Sequence, residues 1–445
     1  MVRFPHIRGP RLRPLGYGAP CMREGEPILL ISHTFPPYKG IGGRRWAKFA
    51  KALARMGHPV HVIHSAGSEA LKGSLWTADI SEPCITVHPL AQRYPTVLFK
   101  RPLTSISDKV MYRVWKTVLL LVTKGNWLDK SIIWRGQLLR EAGPLIEQHG
   151  IRWVIITGAP FRLFHFGVEL KRTHGIKLLC DLRDPWTWHD GYGQGSLSIS
   201  DQAYERGLER EMLENADRIT SPHPSVIDHL RKNYPEQAAN CSVLGHAIDP
   251  DELGQPLPPR NDGDVRLIYA GSLYGAQEAE AYFEQLMRAF EQVRVQRPDR
   301  WPKVKLDLYI TGHGTGAYRE KLKSRGLDAH IRMHAPLPAR EVFKRIAEAD
   351  GVLIFIPSFN KNLLGTKFTE IFYLRRPVIH VGDAGAVSEA ILSSKLGTSI
   401  PVDRLVDELP AILCGERTIS IDPNVDLSEH LLGSITERLA QGLLS

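Results

Sequence analysis

The sequence predicts an α/β protein made of two Rossmann-like domains, and three observations carry that prediction. Short apolar runs suited to buried parallel strands alternate with helical stretches along most of the chain. The alternation is broken once, by a proline-rich segment of mixed charge at 250–263, and then restarts. The chain has 445 residues, too many for one ordinary core. Two domains of roughly 200 residues each are the natural division.

Composition narrows the class. With 43% apolar and 24% charged residues the chain is an average globular protein. Its five cysteines, Cys21, Cys84, Cys180, Cys241 and Cys414, are scattered and lack C-x-x-C spacing. That argues against a disulfide framework or zinc site and suits a reducing cytosol. The net charge of +9 favours anionic partners without choosing among them. No zinc finger, RNP aromatic signature or long Lys/Arg block supports nucleic acid. No run approaches the roughly 20 apolar residues that cross a bilayer, and 118–122 is far too short. Residues 1–26 carry Arg3, Arg8, Arg11, Arg13 and Arg23 with no apolar core, unlike a signal peptide. They read as a disordered basic tail, or as translation upstream of a start at Met22.

The first domain is expected over 27–250. Residues 27–32 form an apolar strand, a loop bears Gly40, Gly42 and Gly43, and a helix turns Trp46, Phe49, Leu53 and Met56 to one side. Strand, glycine loop and helix open a Rossmann-like unit, and glycine lets the backbone approach a ligand. Residues 58–64 are the second strand; its alternate histidines, His58, His61 and His64, lack carboxylate company, which argues against a metal. Within 95–148, Tyr112, Trp115, Leu119 and Leu120 recur at helical spacing beside Lys109, Arg113 and Lys116. Two readings stay open there: a basic helix in an anionic membrane interface, or a helix packed on its own domain. A strand at 151–157 leads into a helix with Phe161, Phe164 and Phe166. Another, at 176–180, runs into Asp181-Leu182-Arg183-Asp184-Pro185-Trp186. Two carboxylates beside an arginine at a strand end are costly to bury, so they pair with each other or with a ligand. A structural salt-bridge corner is the plain alternative.

The second domain, over 251–426, repeats the grammar with strands at 265–272, 304–310, 331–334, 352–356 and 377–381. Turns at Gly271, Gly312 and Ser358 then gather on one sheet edge. The chain is organised around 365–379, a helix after strand 352–356 in which Phe368, Ile371 and Phe372 face the core. Lys367 and Glu370 share the other side of its first turn. A helix N-terminus with a lysine binds phosphate, and a carboxylate there accepts from a ribose diol. An ordinary Lys–Glu pair on a solvated face is the bland alternative.

Lys367-Phe368-Thr369-Glu370 resembles the Lys-x-x-Glu donor-sugar motif of GT-B glycosyltransferases of family 4. Asp-x-Arg-Asp-Pro-Trp is similar to the signature of a bacterial surface-polysaccharide branch, and Asp129 and Trp134 resemble that branch's Asp-x4-Trp pattern. The resemblance implies a GT-B fold, with an acceptor domain and a donor domain facing across a cleft, and a final helix at 427–445 returning to the first domain. It implies a retaining, metal-independent transfer from a nucleotide-diphosphate sugar to a glycan or lipid-linked acceptor, with no cofactor, in the cytoplasm or peripheral on the inner face of the plasma membrane. The catalytic set is then Lys367, Asp184 and Arg183. Gly271, Ser272, Gly312, Ser358, Lys361, Lys367 and Glu370 bind the donor, and Gly42, Gly43 and Arg44 form the acceptor and phosphate loop. Three departures stand out: Asn362 replaces the first glutamate of Glu-x7-Glu, no basic residue follows Gly271 where Gly275-Ala276-Gln277-Glu278 stands, and Pro-Asn-Gly is missing before Asp249. A non-catalytic nucleotide-sugar binder and a nucleotide-sugar epimerase remain as alternatives.

Overall fold

A computed structural model describes residues 25–444 except 68–71, 75, 101, 190, 255, 259–262, 274–275, 312–314, 420 and 423. It gives backbone alone for Ala276, Thr315, Thr366, Lys367 and Leu443. The chain forms two compact units: one runs to Gly245 and resumes at Thr436, the other spans His246–Ile435. The change of unit falls just ahead of the expected linker because 246–253 is stitched to a later segment. Ile248 N donates to His430 O and Leu432 N to Ile248 O, both at 2.8 Å. The supposed linker therefore begins as a packed helical turn, Pro250–Leu253, capped by Asp249 and burying Leu253.

The first unit holds seven parallel strands: β1 (Ile28–Ser32), β2 (Val60–Ala66), β3 (Ile85–Ala91), β4 (Trp153–Gly158), β5 (Lys177–Leu182), β6 (Arg218–Ser221) and β7 (Cys241–Val243). Their order is β3-β2-β1-β4-β5-β6-β7. Alternate side chains of β1, such as Leu29 and Leu30, are buried on opposite faces, so the strand reads as a continuous apolar run rather than an alternating one. The helix Arg44–Arg55 supplies Trp46, Phe49 and Leu53 to the interior. The helix Arg162–His174 adds Leu163, Phe164, Phe166 and Val168.

The second unit holds β8 (Val265–Ser272), β9 (Val304–Thr311), β10 (Ile331–Met333), β11 (Gly351–Ile356), β12 (Val378–Gly382) and β13 (Gly397–Ile400), in the order β10-β9-β8-β11-β12-β13. One face is covered by the helix Ala276–Gln296, whose Tyr282, Phe283, Leu286, Met287 and Phe290 follow helical spacing. The other is covered by Phe343, Ile346, Phe368, Ile371 and Phe372.

Two expectations are corrected here. Of the stripe read within 95–148, the helix Ile106–Val122 turns Leu119 fully inward and Tyr112 partly; Trp115 and Leu120 are exposed. Cys84 is disulfide-bonded, while Cys180, Cys241 and Cys414 are free buried thiols. The scattered spacing argued against a framework of several bridges, and a single crosslink needs none.

Candidate active site

In a doubly wound sheet, ligands bind beyond the carboxyl ends of the strands where the order reverses. That point lies between β1 and β4 in the first unit and between β8 and β11 in the second. The described residues singled out from the sequence stand at or after the carboxyl ends of β1, β5, β8 and β11.

In the first unit Asp181 ends β5 with no exposed surface. Register brings Thr157 of β4 and Thr220 of β6 alongside it. Their hydroxyls donate to its carboxylate at 3.1 and 2.9 Å. Trp46 Nε1 donates at 2.7 Å, and the Arg45 guanidinium closes the cage at 3.3 Å. Arg45 goes on to the carbonyls of Leu244 and Gly245, at 2.5 and 2.7 Å, so the helix Arg44–Arg55 is locked to the ends of β5 and β7. Burial pushes the Arg45 guanidinium below its ordinary pKa and Asp181 pulls it back up. The carboxylates of Asp181-Leu182-Arg183-Asp184 thus do not pair with the arginine between them. Arg45 and Trp46, which sequence reasoning passed over, meet Asp181 instead; with 135 residues and more between partners, no local spacing points to the pairing.

Arg183 reaches backward. Its Nε donates to Gly158 O at 2.9 Å, and its terminal nitrogens donate to Ala159 O and Gly42 O, each at 2.7 Å. It clamps the loops after β1 and β4 across the switch point. Internal neighbours crowd the Cβ position of both loop glycines. A Cβ on Gly42 would stand 2.5 Å from the Arg183 guanidinium, and one on Gly43 2.5 Å from Thr34 O. Arg44 is buried with its guanidinium carbon 5.3 Å from the Trp76 ring centroid, so the expected phosphate loop is occupied by internal contacts. Asp184 alone of this set presents a half-buried carboxylate. Tyr192 donates its hydroxyl to it at 2.6 Å. Burial lowers the pKa of nearby His223 against the pull of Asp184. Trp186 stacks on Phe161 at 5.4 Å and donates to Glu205 at 2.9 Å. Asp129 also gains a role: its carboxylate accepts from Phe161 N and Arg162 N at 2.7 and 3.0 Å, capping the helix Arg162–His174.

In the second unit Gly271 and Ser272 end β8, and the Ser272 hydroxyl lies 2.7 Å from that of Thr311 on β9. Gly312 lies outside the described residues. Ser358, just beyond β11, donates its N–H and its hydroxyl to Glu278, at 2.8 and 3.1 Å. A carboxylate therefore bridges the switch point where a basic residue was looked for. Lys361 is half-buried in the following turn, its carbonyl accepting from Val387 N at 3.0 Å. Asn362 caps the helix Ala386–Ser393 through Ala386 N at 3.1 Å, a structural use for the residue that replaces a glutamate. The organising helix is Thr366–Tyr373, with Lys367 in its first turn. Glu370 is 1% exposed. That overturns the solvated Lys–Glu pair: a carboxylate so buried is not a surface charge.

Residues 42–252 match the family model described as Glycosyltransferase Family 4. No curated protein matches the chain by sequence. Among solved structures, sucrose-phosphate synthase from Thermosynechococcus elongatus aligns over 94% of both chains at 15% identity and TM-score 0.56. Anabaena HepE, in complex with UDP and glucose, aligns over 94% of this chain and 99% of its own at 13% identity and TM-score 0.57. A putative UDP-N-acetylglucosamine 2-epimerase from Listeria monocytogenes aligns over 94% and 95% at 14% identity and TM-score 0.55. At such identities the likeness is one of fold, shared by transferases and epimerases, and the matched domain favours the transferase. The class defined by the two parallel sheets and that domain is the GT-B glycosyltransferase. The match to glycosyltransferase family 4 is confined to residues 42–252.

Proposed function

We propose that the chain moves a sugar from a nucleotide-diphosphate sugar to a glycan or lipid-linked acceptor, retaining the anomeric configuration, without a metal, in building a cell-surface polysaccharide. The observation that carries the donor half is Glu370, a buried carboxylate one turn beyond Lys367 on the helix that follows the switch-point strand β11. Glu370 accepts from the ribose hydroxyls, Lys367 neutralises the departing diphosphate, and the free N–H groups of the first turn add to it. A diphosphate so held takes the acceptor hydroxyl's proton as the acceptor's C–O bond forms and the sugar–phosphate bond breaks. Asp184, held by Tyr192, is the group of the first unit that meets the acceptor hydroxyls. The complex of Anabaena HepE with UDP and glucose supports this class of donor.

The test is a thermal-shift screen of the purified chain against UDP-, GDP- and dTDP-sugars, followed by turnover with and without chelator. Lys367→Ala is expected to abolish the ligand-induced shift while leaving the melting of the free protein unchanged. An unchanged shift removes Lys367 from the site. Conversion of the donor's sugar with no acceptor present selects the epimerase reading instead, and binding with no turnover selects a non-catalytic binder.

A further inference from the structure

The helix Ile106–Val122 stands apart from the other helices among the described residues. It is anchored through Tyr112 and Leu119 to a small cluster of Tyr94, Leu98 and Trp127, and Ser105 caps its start by accepting from Asp108 N at 3.0 Å. The opposite face is apolar and open to solvent: Ile106 is 81% exposed, Leu121 80% and Val122 70%, with Val110, Met111, Val114 and Val118 between them. On a 3.6-residue period these seven side chains fall within one half of the cylinder. Lys109 and Arg113 flank one edge of that half, and Lys116, also exposed, lies further round with its ammonium 5.8 Å from the Trp127 ring centroid. The acidic residue of the helix, Asp108, sits on the anchored side, tied to Lys100 at 2.5 Å. A stripe of this size is left bare on a monomer only where something covers it.

We propose that this helix docks the protein onto an anionic lipid bilayer, its apolar half sunk into the interface and its flanking cations toward the headgroups. Charge complementarity selects the occupant. The cations border the stripe as they do on helices that lie in a charged interface, and no acid interrupts either. A second copy of the same helix would set its cations against like charge. The length and charge of the helix also exclude a span across the membrane. The inference does not depend on the transfer reaction, and its test uses no sugar.

The experiment is co-sedimentation of the purified full chain with vesicles of phosphatidylcholine alone and of phosphatidylcholine mixed with phosphatidylglycerol. The expected result is pelleting with the anionic vesicles, weakened by added salt. Val114→Asp with Leu121→Asp is expected to leave the protein in the supernatant, with its melting temperature kept. Lys109→Glu, Arg113→Glu and Lys116→Glu together lower partition by roughly a hundredfold. Wild-type protein that stays in the supernatant with both vesicles overturns the proposal, as does pelleting of the aspartate variant. A dimer seen by light scattering and split by Val114→Asp assigns the face to a second copy and also overturns it. If the aspartate variant melts early, the stripe belongs to the core and the docking surface does not exist.

Discussion

Asp181 and Asp184 are three residues apart and carry the same functional group, yet the fold buries the first among donors and leaves the second half-buried against a single hydroxyl. Asp181 is caged by five donors from four side chains, so Asp181→Asn leaves the Arg45 guanidinium buried against half its partners. The expected loss is about 3 kcal/mol, read from urea unfolding. Asp184→Asn removes a half-buried carboxylate bound to one hydroxyl, and unfolding stays within about 0.5 kcal/mol of wild type. Turnover is expected to fall about a hundredfold, measured at saturating donor with varied acceptor. Sequence reasoning found the motif and the strand end that carries it. It could not divide the labour, because Asp181's partners come from the helix Arg44–Arg55 and the strands β4 and β6. The clamp made by Arg183 was hidden for the same reason: a guanidinium that holds carbonyls and one that meets a phosphate have the same sequence context.

Two helices define the element scale. The spacing of Phe368, Ile371 and Phe372 was enough to orient the helix Thr366–Tyr373, but three-residue separation placed Glu370 on the solvated side, where it is not. A wheel gives the faces of a helix; it cannot say that neighbouring elements cover more than one. At the start of the helix Ala276–Gln296, Glu278 holds Ser358 across the switch point with a negative charge. Glu278→Gln keeps a hydrogen-bond acceptor and removes that charge. It is expected to tighten nucleoside-diphosphate binding about tenfold by titration calorimetry. Unchanged or weaker affinity would place the diphosphate away from this turn.

For the whole molecule, the alternation of strand and helix was legible and both sheets follow from it. Among the strands that went unread are β3 and β13, each at the edge of its sheet. Pro89 within β3 has no N–H for a second neighbour, which an edge strand tolerates and a sequence pattern reads as a break. Burial within the first unit also makes it acid-sensitive. His33 is held to a pKa of about 3, His64 and His88 to about 4, chiefly by desolvation. Unfolded, each titrates near 6.5. Below that value the unfolded chain takes up protons that the fold refuses, so stability is full above pH 6.5 and falls steadily toward pH 4. Each group contributes on the order of 3 kcal/mol across that window. Urea midpoints measured through it are expected to drop steeply, and His64→Gln to flatten the slope.

The first unit is assembled from two stretches of chain with the second unit whole between them. Thr436 and Leu439, neither of which has exposed surface, belong to its later stretch. A ribosome delivers residues 246–435 before either of them, so the half that begins first is completed last. A nascent chain stalled ahead of Thr436 therefore carries a finished second unit beside an open first one, and proteases added at that stage should cut the older half.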